Sequence, residues 1–164
     1  MMGAFEHCDN DEFVLVLPAT AANAAEVRHR LAEWLHTRAM PTSTIADVVL
    51  AVYEACANCV EHAYQDVAAG PMRINATPTP EGVVVRVTDY GTWQPRTANL
   101  RGGRGIALMR TMSDTLTLTR TASETTVTMQ FRWAEESTAP SSQAGADINP
   151  PHSAAAEPPL QVSG

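Results

Sequence analysis

The residues best suited to chemistry are concentrated in one short stretch, "EACANCVEH", which runs from Glu54 to His62. Two kinds of site can be read in it. Cys56, Cys59 and His62 form a C-x2-C-x2-H pattern that suggests zinc, whereas Glu54 and Asn58 are a carboxylate and an amide four residues apart. The two interpretations require different local structure, because structural zinc sites favour a turn and a pair at i and i+4 shares one helix face.

The zinc interpretation is the weaker of the two. A structural zinc ion needs four tetrahedral ligands, and on a helix each step of three residues rotates by about 60° around the axis. The fourth ligand would have to be Cys8 or a distant histidine. Small cysteines on an apolar helix face are commonly just buried.

The carboxylate and amide interpretation follows the helical spacing. Glu54, Asn58 and His62 lie at i, i+4 and i+8, which keeps them on one helical face. A solvated polar edge would have the same pattern, so this helix alone does not decide the matter.

Two downstream segments have a similar character. "VTDYG" places Asp89 and Gly91 directly after a predicted strand, where a carboxylate can bind a ligand and a glycine allows close approach. "RGGRG" then leads into a helix, whose first backbone N–H groups favour phosphate oxygens. Both signals are common in ordinary turns when taken singly.

The composition excludes several classes of site. All 11 basic residues are arginines, so P-loops and Schiff-base lysines are excluded. Four acidic residues follow Arg132, the last basic residue, and supply much of the formal net charge of −7. No basic patch stands out, so we expect no nucleic-acid partner.

The cysteine count and the apolar runs bear on the compartment. Three cysteines, two of them within one predicted helical turn, do not make a disulfide framework, which favours a reducing cytoplasm. The N-terminus has no leader pattern and no continuous apolar run is long enough to span a bilayer. We therefore expect a soluble, cytoplasmic protein without a membrane partner.

Hydrophobic periodicity predicts the secondary structure. Strands are predicted at residues 12–18, 72–78, 82–89, 115–120 and 125–133, and helices at residues 24–40, 42–64 and 102–114, the second with a hydroxyl cap from "TST". The folded domain is expected at residues 10–133. Residues 134–164 are rich in proline, alanine and serine, which predicts a disordered tail.

The order of elements is therefore β, α, α, β, β, loop, α, β, β. Adjacent strands joined by short turns predict an α+β fold, a two-layer sandwich of a mixed, largely antiparallel sheet with helices on one face.

The motifs occur in a characteristic succession: "EACANCVEHAY", "VTDYGTW", "GGRGIALMRTMSD" and "ETTVTM". In this order they closely resemble the GHKL, or Bergerat-fold, ATPases, and in detail the anti-sigma-factor serine/threonine kinases of bacteria. The resemblance covers roughly residues 13–133. It implies binding of ATP and Mg²⁺ and phosphoryl transfer to a protein serine or threonine.

The resemblance also implies roles for particular residues. Asn58 would coordinate Mg²⁺, and Glu54 would orient and help deprotonate the attacking hydroxyl. Asp89 would accept a hydrogen bond from the adenine amine, with help from Thr125, and Gly91 would give the purine room.

The glycine-rich segment would contact the phosphates. Gly103 and Gly105 would end a mobile lid and let backbone N–H groups reach the phosphate oxygens, while Arg104 or Arg101 would supply the positive charge that a lysine supplies elsewhere. One position departs from the family, which usually has Gly-Thr-Thr where this chain has Glu124 before Thr125. That difference bears on nucleotide affinity more than on the fold.

Partners follow from the resemblance alone. They would be a sigma factor, a small STAS-domain antagonist that the kinase phosphorylates, and a second copy of the chain in a homodimer. The alternative is an ATP-binding regulator that controls a partner by binding without kinase activity. The presence of Glu54 favours the kinase, since a pure binder needs no general base.

Overall fold

The computed structural model describes residues 5–9, 12–64, 67–92 and 102–133. Six strands are formed: β1 Phe5–Asp9, β2 Glu12–Pro18, β3 Pro71–Thr79, β4 Gly82–Asp89, β5 Thr115–Arg120 and β6 Thr125–Arg132. The helical elements are α1 Ala21–His36, α2 Thr42–Asn58, the π-turn Cys59–Ala63 that continues α2, and α3 Gly102–Met112. The predicted tail at 134–164 lies outside the described residues.

The strands form one sheet in the order β1-β2-β3-β4-β6-β5. Each pair of neighbours is antiparallel. The predicted α+β class with a largely antiparallel sheet is thereby confirmed. The sheet also includes β1, which the sequence patterns did not predict and which precedes residue 10, the expected start of the domain.

One face of the sheet forms the core, because buried and partly buried residues alternate along β2, β3, β4 and β6. Two rows of directly opposed apolar residues cross these strands: Phe13, Ala76, Val85 and Met129, then Leu15, Ile74, Val87 and Val127. The next row is Leu17, Met72, Asp89 and Thr125. This third row is apolar on β2 and β3 but polar on β4 and β6, so the buried face of the sheet is polar at this place.

The helices cover this buried face, and their apolar residues join the same core cluster. Helix α1 starts at the cap Thr20, whose hydroxyl accepts the Asn23 N–H at 3.2 Å. It ends at His36, earlier than predicted, because the Trp34 carbonyl accepts from Thr37 Oγ1 (2.7 Å) and from Arg38 Nη1 (3.0 Å). These side chains take the place of helical N–H donors.

Helix α2 starts differently from the prediction. Its N-cap is Pro41, with φ of −56° and ψ of 136°, and no side chain caps it, so the expected hydroxyl cap is wrong. The proline needs no N–H partner and its fixed φ suits a helix start.

The continuous helix Thr42–Ala63 is 22 residues long and contains an 18-residue segment with a mean hydropathy of 1.3, and among the described residues it alone could span a membrane by length and composition. A core helix of a soluble protein meets the same criterion. Its inward-facing apolar residues, such as Val48 and Val52, are fully buried against the rest of this fold, whereas Leu50 is exposed.

Candidate functional site

Two polar side chains interrupt the apolar core. Asp89 and Thr125 are 1% and 2% exposed, and they are the buried polar or charged residues among those that the structure describes. They lie directly opposite each other, Asp89 at the end of β4 and Thr125 at the start of β6. Burying a carboxylate costs free energy unless it is compensated, so this pair is a strong candidate for ligand binding.

The Asp89 carboxylate is held by neighbouring groups. Its Oδ1 accepts the Gly91 N–H at 3.2 Å. The Cys59 thiol lies 3.7 Å from Oδ2 and 3.3 Å from the Ala55 carbonyl oxygen, so its proton can be donated to either. Cys59 follows Asn58 directly, so the predicted amide and carboxylate lie at the same end of the fold.

Gly91 packs directly on the end of the long helix. A Cβ atom at this position would overlap the carbonyl oxygen of Ala63, the last residue of the π-turn. A residue with a side chain could therefore stand here only if one of the two segments moved. The glycine of "VTDYG" is therefore required because the turn after β4 packs directly on the end of the helix.

Glu54 and Asn58 meet the start of α3. A Cβ atom on Gly105 would lie 3.2 Å from Glu54 Oε2 and 3.5 Å from Asn58 Oδ1, so both oxygens surround one point beside the glycine. Helix α3 packs against α2 and is anchored by the fully buried Met109. The structure thus brings together three residues predicted from two separate motifs.

The helical spacing holds for Glu54 and Asn58 but not for His62. The helix changes to π-type hydrogen bonding at Cys59, which alters the angular spacing of the residues that follow. His62 Nε2 lies 3.7 Å from Glu61 Oε2.

The remaining residues of the glycine-rich segment lie at the first turn of α3, which includes the backbone of Gly103. The Arg104 side chain is exposed there. Arg101 and the preceding residues 93–100 lie outside the described residues. The predicted phosphate contacts of Gly103, Arg104 and Gly105 stay predictions.

The two cysteines of "EACANC" are free and buried. Burial raises the pKa of the Cys56 thiol from 9.0 to about 12. Burial, the Cys56 thiol and the Asp89 carboxylate together raise the pKa of Cys59 well above its ordinary value. Zinc binds thiolates, and among the described residues no group of three or more His, Cys, Asp or Glu side chains is arranged to hold a metal.

The donors near Gly105 suit magnesium better than zinc. Asn58 Oδ1 and Glu54 Oε2 are hard oxygen donors around the same point, and Mg²⁺ commonly takes one or two protein oxygens and completes its shell with phosphates and water. These residues therefore fit a magnesium–nucleotide complex.

Glu124 is accommodated in the turn between β5 and β6. Its N–H is donated to Thr121 Oγ1 at 3.1 Å, and its carbonyl accepts the Thr121 N–H at 2.9 Å. The turn is closed without glycine because the Thr121 hydroxyl supplies a local hydrogen-bond partner. Thr125 then enters β6 opposite Asp89.

Two residues of the site were missed by sequence reasoning. Cys59 was considered as a zinc ligand or as a buried core cysteine, although it contacts Asp89. Tyr64 was part of a quoted motif without a role, yet its hydroxyl accepts the N–H of Tyr90, which lies between Asp89 and Gly91. No sequence pattern signals the π-turn that places both residues.

Comparisons with known proteins agree with this geometry. The chain matches the model of the histidine kinase-like ATPase domain over residues 17–131. The crystal structure of the RsbU and RsbW domains of Rv1364c from Mycobacterium tuberculosis is similar, with a TM-score of 0.62 and 31% sequence identity. The match covers 74% of this chain and 32% of that one, so the chain spans about a third of that protein's length.

The likeness to a protein with an RsbW domain agrees with the resemblance to the anti-sigma factor kinases that the motifs indicated. Because the family model covers most of the chain, including Glu54, Asn58, Asp89 and Thr125, family membership implies ATP binding. The chain belongs to the histidine kinase-like ATPase domain family.

Proposed function

We propose that this chain is an ATP-dependent serine/threonine protein kinase and anti-sigma factor, which phosphorylates a STAS-domain antagonist and sequesters a sigma factor. The observation that carries the proposal is the meeting of Glu54 Oε2 and Asn58 Oδ1 beside Gly105 at the start of α3. A protein that only binds ATP needs a residue such as Asn58. A kinase also needs a carboxylate at the same point, to accept the proton of the attacking hydroxyl.

Asp89 and Thr125 would bind the adenine base. The Asp89 carboxylate would accept a hydrogen bond from the exocyclic amine of adenine, and Thr125, directly opposite, would assist. Guanine has a carbonyl oxygen at the position of that amine, and two acceptors repel each other. The buried carboxylate therefore favours ATP over GTP.

Asn58 would hold the magnesium ion of the nucleotide through its amide oxygen. When bound, Mg²⁺ neutralises charge on the ATP phosphates. The N–H groups of the first turn of α3, at Gly103 and Gly105, would receive phosphate oxygens, favoured by the positive end of the helix dipole. The exposed Arg104 would add positive charge at the same end.

Glu54 would act on the protein substrate. Its carboxylate would orient the serine or threonine hydroxyl and accept its proton as the new bond from that oxygen to the γ-phosphorus forms. The bond from the γ-phosphorus to the bridging oxygen breaks, and ADP leaves with its electron pair. Phosphoryl transfer depends mainly on positioning and charge neutralisation, so one carboxylate suffices.

The partners are inferred from the family resemblance and from the neighbour whose title names an RsbW domain. We infer a sigma factor, a STAS-domain substrate and a homodimer. The buried free thiols of Cys56 and Cys59 are consistent with a reducing, cytoplasmic location.

The direct test is transfer of labelled phosphate. The purified protein is incubated with [γ-³²P]ATP, Mg²⁺ and the STAS-domain proteins encoded in the same genome, followed by phosphoamino-acid analysis. We expect labelled serine or threonine in one of them. Glu54→Gln should abolish labelling while ATP binding, measured by calorimetry, persists.

Glu33→Gln is the matched control, because Glu33 is an exposed carboxylate on α1, which carries none of the predicted site residues. It should leave labelling unchanged. ATP binding by the wild type without transfer to any STAS-domain protein would refute the kinase proposal and favour the ATP-binding regulator.

A further inference from the structure

The Tyr64 hydroxyl joins three separate segments of the chain. It donates a hydrogen bond to the Pro71 carbonyl oxygen at 2.6 Å and accepts one from the Tyr90 N–H at 3.0 Å. Tyr64 directly follows the π-turn, Pro71 begins β3, and Tyr90 follows β4. One phenol therefore ties the end of the long helix to the segment that carries Asp89.

The aromatic ring of Tyr64 is fixed as well as its hydroxyl. The ring packs against the hydrophobic core, and a Cβ atom on Gly70 would overlap it. Burial raises the pKa of Tyr64 above its ordinary value, so the phenol is protonated at neutral pH. A protonated phenol can donate to Pro71 while it accepts from Tyr90.

The Tyr90 N–H lies between the two groups that define the adenine-binding turn. On one side is the Asp89 carboxylate, and on the other is Gly91, whose own N–H is donated to Asp89 Oδ1 at 3.2 Å. Gly91 also packs on the Ala63 carbonyl, one residue before Tyr64. Without the phenol hydroxyl, the turn would keep its contact at Gly91 but lose its hydrogen bond at residue 90.

We propose that Tyr64 is a positioning residue for Asp89, holding the turn from Asp89 to Gly91 so that the carboxylate meets the adenine amine. The inference rests on the proposed function, because it assumes that Asp89 reads the base. It assigns to Tyr64 a share of the preference for adenine, which acts through the turn that Tyr64 holds.

The test compares two nucleotides in Tyr64→Phe, which removes only the hydroxyl. Binding of ATP and of purine riboside 5′-triphosphate, which lacks the exocyclic amine, is measured by calorimetry with Mg²⁺. ATP affinity should fall about two- to tenfold, the effect of one lost hydrogen bond. Affinity for the amine-free analogue should not change, since it makes no bond to Asp89.

Tyr53→Phe is the matched control, because Tyr53 is a half-buried tyrosine on α2 for which the described part of the structure gives no hydrogen bond. It should bind both nucleotides as the wild type does. An equal loss for both nucleotides in Tyr64→Phe would show a merely structural role and overturn the inference.

Unchanged ATP affinity in Tyr64→Phe would overturn it too. The two proposals fail in distinguishable ways. A wild type that binds neither nucleotide refutes the proposed function and this inference together. A wild type that binds ATP while Tyr64→Phe shows no selective loss refutes the inference alone.

Discussion

Asp89 is a carboxylate at a position where the neighbouring rows of the sheet have Val87 and Val85. Removing an ionised carboxylate from water is costly unless hydrogen bonds compensate for it. The Gly91 N–H and the Cys59 thiol supply part of this compensation. Under the proposed function, the adenine amine would supply another donor when ATP is bound.

Asp89 also shows what can and what cannot be predicted from the sequence. "VTDYG" after a strand predicted Asp89 as a ligand-binding residue, because the strand period and the following glycine are local signals. The contact with Cys59 was not predictable, since it joins residues 30 positions apart and depends on how the helix end lies over the sheet. Local patterns identify candidates, whereas packing determines their neighbours.

Buried thiols make the stability of the protein depend on pH. The pKa of Cys56 is raised from 9.0 to about 12 in the folded state, so the unfolded state ionises first as pH rises. The contribution of this thiol is complete below pH 9 and is lost towards pH 12, by about 1.4 kcal/mol per pH unit. Urea unfolding at several pH values between these limits should show a shallower decline in Cys56→Ala.

Val52→Ala is the control for that experiment. Val52 is fully buried one turn earlier on the same helix and does not titrate. Its truncation should lower the free energy of unfolding by a similar amount at every pH. Identical pH slopes in the wild type and Cys56→Ala would contradict the assignment.

At the scale of elements, the sequence patterns of β2, β4 and β5 predicted their bounds, because each is a short run of strand-forming residues that is closed by turn residues. The end of α1, the cap of α2, the strand β1 and the π-turn were not predicted. Each depends on interactions that the spacing of apolar residues does not encode, such as the hydrogen bonds of Thr37 and Arg38 to the Trp34 carbonyl.

Successive residues of β6 lie on opposite faces of the sheet, so a threonine beside the candidate site is followed by one that lies away from it. Thr125 faces the core beside Asp89, whereas Thr126 lies on the other face, where its hydroxyl is 2.9 Å from Thr88 Oγ1. We expect Thr125→Val to lower ATP affinity roughly two- to tenfold, the effect of one hydrogen bond. Calorimetry measures the affinity, and thermal unfolding verifies that the fold is kept.

Thr126→Val is the matched variant on the same strand. It removes a hydroxyl and a cross-strand hydrogen bond on the face opposite the site. Its ATP affinity should equal that of the wild type. Equal losses in the two variants would mean that Thr125 has no specific role in binding.

At the scale of the whole molecule, one sheet face and the helices that cover it form a single core, and the polar end of its third row lies at the candidate site. The order of elements was predictable because each has its own hydrophobic period. The meeting of Gly105 with Glu54 and Asn58 was predicted only through the family resemblance, since their segments are joined through the packing of α3 on α2, which no local pattern encodes.

The domain boundary gives a further prediction. The described fold ends at Trp133. The composition of residues 134–164 predicts that this segment contributes nothing to the hydrophobic core. A chain truncated after Trp133 should keep the melting temperature and the ATP affinity of the full chain, measured by scanning and titration calorimetry. A lower melting temperature in the truncated chain would mean that the segment packs on the domain.

The central claim is a magnesium–ATP site that is built from the end of α2 and the end of β4. Titration of ATP with and without Mg²⁺ into the wild type, Asn58→Ala and Asp89→Asn tests it most directly. We predict magnesium-dependent binding that weakens at least about tenfold in each variant, because Asn58→Ala removes a ligand of the metal ion and Asp89→Asn removes the carboxylate that would accept from the adenine amine. Wild-type affinity in both variants, or a wild type that binds no ATP, would contradict the account.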